Sequence, residues 1–440
     1  MPRKSSPRTD SDCSRRDFLK TSTVAAGALA GGLGIGRAAH AAGDDTLKIG
    51  LVGCGGRGTG AAVNAMRADP NVKLVAMADA FEDRLKSSLT GLKKQMPDKV
   101  DVDDDHCYVG FDGYKHICDD KDIDVVLLAT TPHFRPMQLK AAIDAGKHVF
   151  CEKPVAVDGP GIRSVLATAE EAKKKKLSLV SGLCWRYHTG TQEVMKRVVD
   201  GAIGDVMAVQ STYNTGTLWH RGRKEDDTEM AYQMRNWYYF AWLSGDHNCE
   251  QHVHSLDKAS WAMNDQPPLK AWGLGGRQVR TDPKWGDIYD HHAVVYQYES
   301  GARVYSFCRQ QAGCKSEVTD HFFGTKGHCD VLGGYQITGE NPFKFRGTSP
   351  SMYDAEHVAL FESIRSGQPI NNGRYMAIST MLAVLGRMVN YTGQEITWEQ
   401  AINTEEKLAP ESYGWDVDPP TMPDENGRYP VAMPGVTKIV

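Results

Sequence analysis

From Leu47 to Gly182 the chain alternates between two patterns. Short, continuous apolar runs at Leu47–Val52, Val72–Ala78, Val125–Ala129, His148–Cys151 and Leu177–Gly182 read as strands covered on both faces, since a strand with one wet face would alternate apolar and polar residues. The segments between them, Ala61–Ala68, Phe81–Lys94, Pro136–Ala145 and Gly161–Lys176, favour helix. Repeated strand and helix predict a parallel, doubly wound α/β sheet.

The second half changes period. Val206–Tyr213, Ala293–Glu299, Ala302–Cys308 and Glu317–Phe323 alternate apolar with polar residues, and Glu299-Ser300-Gly301 supplies a turn. This predicts an open, mainly antiparallel sheet with one buried face, accompanied by helices at Tyr353–Ser366 and Ala377–Tyr391 that return to the first domain. The domain boundaries that follow are 46–184, 185–409 and a proline-rich tail, 410–440, expected as an extended arm over the surface or a neighbouring subunit. Gly216–Gly245 is a long insertion carrying Trp219, Tyr232, Trp237, Tyr238, Tyr239 and Trp242. Such rings either wall a sugar, whose CH faces are apolar, or pack the loop onto the sheet, and both readings stay open.

The first strand runs into Gly53, Gly55 and Gly58 at G-x-G-x-x-G spacing, and a helix follows at once. In that setting the glycines, with Gly56 and Arg57 among them, serve a tight turn, close backbone approach to a pyrophosphate, and helix-to-strand packing. The second strand ends in Asp79, about twenty residues further on, where an acidic group hydrogen-bonds an adenosine ribose. Ligands of open α/β sheets lie outside the carboxyl ends of the strands. Gly53–Gly58, Asp79, Thr130–His133, Glu152–Pro154 and Trp185–His188 should therefore converge on one crevice.

Charge narrows the partners. With 51 basic and 55 acidic residues and no basic run beyond Lys173–Lys176, nucleic acid and anionic membranes are poor candidates. Residues 1–42 are set apart from the fold. Ser14-Arg15-Arg16-Asp17-Phe18-Leu19-Lys20, an Ala/Gly-rich run and Ala39-His40-Ala41 make a twin-arginine signal with a small-residue cleavage site. The mature protein is expected in the periplasm, mildly acidic, without an integral membrane domain; an uncleaved anchor is the alternative. The chain's ten cysteines make no C-x-x-C or other metal-ligand spacing, and Cys54, Cys151, Cys184 and Cys308 are expected as buried thiols.

The sequence resembles the Gfo/Idh/MocA family, the relatives of glucose-fructose oxidoreductase and inositol dehydrogenase. The matching pieces are Gly50–Gly58, Asp79, AGKHVFCEKP at Ala145–Pro154, GAIGDV at Gly201–Val206, Glu250–Asp257 with its acid-xxx-His-xx-Asp order, and GTKG at Gly324–Gly327. The resemblance implies a Rossmann domain, an open antiparallel sheet domain, a substrate between them, and a homo-oligomer formed through the open sheet face. It assigns Lys153 to catalysis, often with a cis bond to Pro154, and places an Arg and an aromatic after the last Rossmann strand. That nominates Trp185 and Arg186 for cofactor, and Arg186 and Tyr187 for substrate, with an interdomain salt bridge as the other reading of Arg186. Tyr239 is a further substrate candidate. His133 is a weaker nomination, because the family often has Pro-x-x-x-His where this chain has Pro132 and then Pro136. The family usually has Asp where Glu250 stands.

The residues themselves support a mechanism. Lys153, at the end of a buried strand, can stabilise a developing alkoxide. A helix beginning near Asp246 would align His247, Glu250, His254 and Asp257 on one face, with His254 as general base and Glu250 orienting it. Zinc on His247, Glu250 and His254 is disfavoured because no standard ligand motif is present, so no metal is expected. Asp79 favours NAD, and Arg84 leaves NADP open. The reading is an exported NAD(P)-dependent oxidoreductase acting on a sugar hydroxyl or carbonyl with a tightly held, internally recycled cofactor. The alternatives are an NAD-dependent glycoside hydrolase or lyase using transient ring oxidation, which Gly56-Arg57-Gly58 resembles, and a non-catalytic sugar-binding protein.

Overall fold

The computed structural model describes residues 45–439, so the twin-arginine leader expected over residues 1–42 lies outside the described residues. Six strands form the first sheet: β1 (Leu47–Val52), β2 (Val72–Asp79), β3 (Cys107–Val109), β4 (Val125–Leu128), β5 (His148–Cys151) and β6 (Leu179–Ser181). Their order is β3-β2-β1-β4-β5-β6 and every pair is parallel. This is the doubly wound dinucleotide-binding order, with its switch point between β1 and β4.

The continuous apolar runs have the predicted cause. Val125 and Leu127 of β4 join one core with Ile49, Leu51, Leu360 and Phe361. Val126 and Leu128 join the other, with Leu139, Ile143 and Ile162. Each face is thus covered, and neither tolerates polar alternation.

The second sheet has nine strands: β7 (Val206–Thr215), β8 (Lys270–Gly276), β9 (His291–Gln297), β10 (Arg303–Gln310), β11 (Glu317–Gly324), β12 (Gly327–Asp330), β13 (Gln336–Gly339), β14 (Phe343–Lys344) and β15 (Ile396–Thr397). The order is β14-β13-β12-β11-β7-β10-β9-β8-β15, antiparallel except for the β7–β10 pair. Strand β10 alternates as expected, with Val304, Ser306 and Cys308 buried while Phe307 is 40% exposed. The helix Gly373–Thr392, buried along nearly all its length, packs against the helix Gly159–Lys174 on one side and β8 on the other, joining the two sheets.

The tail from Pro410 has no helix or strand and folds back over the chain. Trp415 packs at a tilt against Phe81 and Phe111, Tyr413 against Phe134, and Tyr429 meets Phe240 edge-on. The four cysteines expected as buried thiols are buried and free. No helix among the described residues is long and apolar enough to cross a membrane.

Candidate active site

A cavity of about 950 Å³ opens at the carboxyl ends of β1, β2, β4 and β5. Its floor is the turn after β1. Gly53 has φ +98, a conformation that strains any residue with a Cβ, and a Cβ on Gly58 would sit 1.8 Å from the Gly53 carbonyl oxygen. Gly58 therefore lets the helix Gly56–Ala68 lie against the turn, whereas Gly55 and Gly56 border open space. No side chain caps this helix, so its first N–H groups and the positive end of its dipole are left for an anion. Asp79 accepts hydrogen bonds from the N–H groups of Cys54 at 2.6 Å and Phe81 at 2.9 Å, and also borders the cavity. Burial raises its pKa despite those bonds. A turn that a Cβ would block, an uncapped helix and an acid at the end of β2 fit a dinucleotide.

Across the cavity stand Lys153, Glu250 and His254. Lys153 follows β5, and its bond to Pro154 is cis. Its Nζ donates to the Glu250 carbonyl at 2.7 Å and to Glu250 Oε1 at 3.1 Å. An ammonium has three donors, so one remains for a ligand. The His254 Nδ1 is buried without a partner, leaving Nε2 as the nitrogen open to the cavity. Burial, with the neighbouring Lys153, Lys258 and Arg57, holds its pKa well below the usual histidine value, so the ring is neutral at pH 7.

Arg57 ties the glycine loop to Glu152, the residue before Lys153. Its Nε lies 2.6 Å from the buried Glu152 Oε1, its Nη2 lies 3.8 Å from the buried Glu356, and its guanidinium covers the Tyr353 ring. Arg135, buried beneath the loop, donates to the carbonyls of Pro154 and Thr130. The Thr130 hydroxyl donates to Gln138 at 2.6 Å.

Several nominated residues stand elsewhere. The stripe expected from Asp246 to Asp257 is split, because helices His247–Glu250 and Val253–Ala262 are separated by Gln251 and His252. His247 turns away to Asp246 and His292, and Asp257 pairs with Arg186. Arg186 is engaged by Asp257 at 2.9 Å and Asp265 at 2.6 Å, and it covers the Tyr375 ring, so it is an ion-pair hub away from the cavity. Tyr187 donates to Asn372, and Trp185 lies by His188 and Lys258. His133 is buried against Trp242 and bonds Tyr413 at 2.8 Å, and burial lowers its pKa to about 3. The Tyr239 hydroxyl donates to the carbonyls of Leu218 and Trp219, which uses it as packing under the insertion. None of these seven residues lines the cavity. Of the six insertion aromatics, Trp219 and Trp237 line it and the other four are buried packing.

The structure adds Tyr353, Gln138, Arg135, Phe134, Arg221 and Met234 to the lining. No spacing signal links Tyr353 to the glycine loop, since only the packing of the helix Met352–Arg365 on the first sheet brings them together.

Residues 47–180 match the model described as the oxidoreductase family, NAD-binding Rossmann fold, and residues 191–330 match the GFO/IDH/MocA C-terminal domain. The chain belongs to the GFO/IDH/MocA family. One relative is inositol 2-dehydrogenase 3 of Saccharopolyspora erythraea, 26% identical over 263 residues, which is 59% of this chain and 65% of the relative. Another is glycosyl hydrolase family 109 protein 3 of Phocaeicola vulgatus, 27% identical over 202 residues, 44% of this chain and 35% of the relative. The GFO/IDH/MocA fold is shared by scyllo-inositol dehydrogenase from Lactobacillus casei, solved with NAD(H) and scyllo-inositol, at a TM-score of 0.61 and 20% identity over 81% of this chain and 100% of that one.

Proposed function

We propose that this protein is an NAD-dependent oxidoreductase that interconverts a hydroxyl and a carbonyl on a sugar or cyclic polyol. The observation that carries the reading is the convergence of Lys153, Glu250 and His254 on the cavity into which the glycine loop opens. When bound, the dinucleotide supplies hydride transfer to or from the carbon that bears the substrate oxygen. Neutral His254 takes the hydroxyl proton at Nε2. The third donor of Lys153 binds the same oxygen and stabilises negative charge as it develops. Glu250 fixes Lys153 through two acceptors. Trp219 and Trp237 offer flat apolar surface, which suits a ring.

Retention of the cofactor between turnovers is part of the proposal. The insertion reaches over the cofactor cleft and is pinned there by Arg235, 3.0 Å from Asp83, and by Lys224, 3.6 Å from the same carboxylate. Export of the folded, loaded protein through the Arg15-Arg16 leader is consistent with such retention. Exposed Leu274, Phe307 and Phe323 on the outer face of the second sheet support association with a second copy there.

A second reading, redox-neutral glycosidic cleavage, draws on the similarity to the family 109 protein. Gentle denaturation after gel filtration, with mass spectrometry of the released nucleotide, tests retention. Absorbance at the NADH band during sugar addition then separates the two reactions. Reduction that persists until a carbonyl substrate is added supports the oxidoreductase. Release of an aglycone without net reduction supports the glycosidase, and no bound or bindable nucleotide sinks both.

A further inference from the structure

Arg84 and Arg221 line the cavity from opposite sides of the cleft, Arg84 on the helix Glu82–Gln95 after β2 and Arg221 in the insertion. Both guanidiniums converge on one neutral atom, the Arg235 carbonyl oxygen, which Arg84 Nη2 meets at 3.5 Å and Arg221 Nη1 at 3.1 Å. The acids close by stand outside ion-pair distance of either guanidinium. Asp83 is held by Arg235 and Lys224, and the two oxygens of Asp79 accept the N–H groups of Cys54 and Phe81.

Neither Arg84 nor Arg221 forms an ion pair with a carboxylate among the described residues. Two guanidiniums drawn to one carbonyl repel each other unless an anion lies between them. Burial lowers the pKa of both; at Arg84 the charge of Asp79 opposes this, while Arg221 and Arg235 lower it further, and Arg235 does the same at Arg221. Arg84 Nη1 also lies 4.0 Å from where a Cβ on Gly55 would stand, beside the uncapped helix N-terminus. The pair therefore flanks the part of the cavity that suits phosphate.

We propose that Arg84 and Arg221 form a two-arginine site for a phosphate of the bound dinucleotide, one arginine from each side of the cleft. This rests on the dinucleotide reading above. The phosphate is either the diphosphate common to NAD and NADP or the 2′-phosphate of NADP beside Asp79, and both recruit a fork of N–H donors. The insertion thereby touches the cofactor directly, in addition to covering it.

The test measures NADH and NADPH binding by nucleotide fluorescence, using full-length protein freed of nucleotide, for the wild type, Arg221→Ala and Arg221→Lys. Arg221 is exposed, so the fold should survive its removal, and a thermal melt checks this. The expected result is at least about tenfold weaker binding for Arg221→Ala. Arg221→Lys should recover part of it by keeping the charge without the fork. Equal weakening for NADH and NADPH supports the diphosphate, and weakening confined to NADPH supports the 2′-phosphate. Unchanged affinity for both, with a wild type that binds, overturns this inference and leaves the proposed function standing. A wild type that binds neither nucleotide overturns both.

Discussion

Lys153 and Glu250, 97 residues apart in sequence, meet through two hydrogen bonds, one to the Glu250 backbone and one to its carboxylate. Both side chains are largely buried, at 15% and 17% exposure. The ammonium is therefore aimed by the second domain although it belongs to the first. Replacing Lys153 with Ala should lower turnover by about a hundredfold or more, the scale expected for losing a charge-stabilising donor, while nucleotide binding stays within about twofold. Steady-state rates and nucleotide titration read the two separately. Unchanged turnover would refute the role given to Lys153.

His254 sets the acid limit. Its pKa is held down first by burial and next by Lys153, and only the neutral ring accepts a proton. Activity should thus be present above the folded-state pKa and lost as pH falls through it. The limb belongs well below the ordinary value of about 6.5. A kcat/KM profile that is flat from pH 8 to about pH 6 is the expected result. A limb centred at or above 6.5 would remove His254 from the role of base.

How much of this was legible in the sequence follows from the range of each signal. The strands of the first sheet, the glycine turn and Asp79 are written in contiguous residues, because turn sterics and burial act locally. Lys153 is read from one short segment and Glu250 and His254 from another, and the structure places all three on the cavity. The single helix through Asp246–Asp257 is not formed, since Asp246 adopts φ +75 and the chain breaks again at Gln251 and His252. Arg186 carried the right residue type in the right place, yet Asp257 and Asp265 claim it. Such competition between partners is decided in three dimensions. Tyr353 and Arg221 reach the cavity only through the packing of distant elements, which leaves no periodic trace.

Arg57 offers a test of the electrostatics beneath the loop. It is the cation between the buried carboxylates of Glu152 and Glu356, and Glu356 has neither oxygen hydrogen-bonded. Burial, then repulsion from Glu152, raises the Glu356 pKa, and Arg57 opposes that rise. Arg57→Ala should destabilise the protein by about 3 kcal/mol, the scale for orphaning a buried charge. Removing the cation raises the Glu356 pKa further, so the folded state binds a proton that the unfolded state has released. Stability contributed by that protonated carboxyl is present at low pH and lost as pH rises through the folded-state pKa. Urea midpoints should show the variant's deficit growing as pH rises above the wild-type Glu356 pKa, which already lies well above the usual carboxylate value, and a deficit independent of pH would refute the shared-cation account.

Gly55 and Gly58 separate the packing role of the loop from its ligand role. A Cβ at Gly58 would stand 1.8 Å from the Gly53 carbonyl oxygen, so Gly58→Ala must move backbone. A loss of about 3 kcal/mol or more is expected, with nucleotide binding lost alongside it. At Gly55 an added Cβ would meet only Arg84 Nη1, at 4.0 Å, and the residue is the N-cap of the helix with a negative φ. Gly55→Ala should therefore fold, losing about 1 kcal/mol or less at the cap. Its methyl would stand at the glycine that lets backbone approach the pyrophosphate, so NADH affinity should fall by about tenfold or more. Thermal melts and NADH fluorescence titrations of the two variants give four numbers. A Gly55→Ala protein that is stable and binds NADH normally would show that phosphate does not approach this backbone, and the cavity would need another occupant.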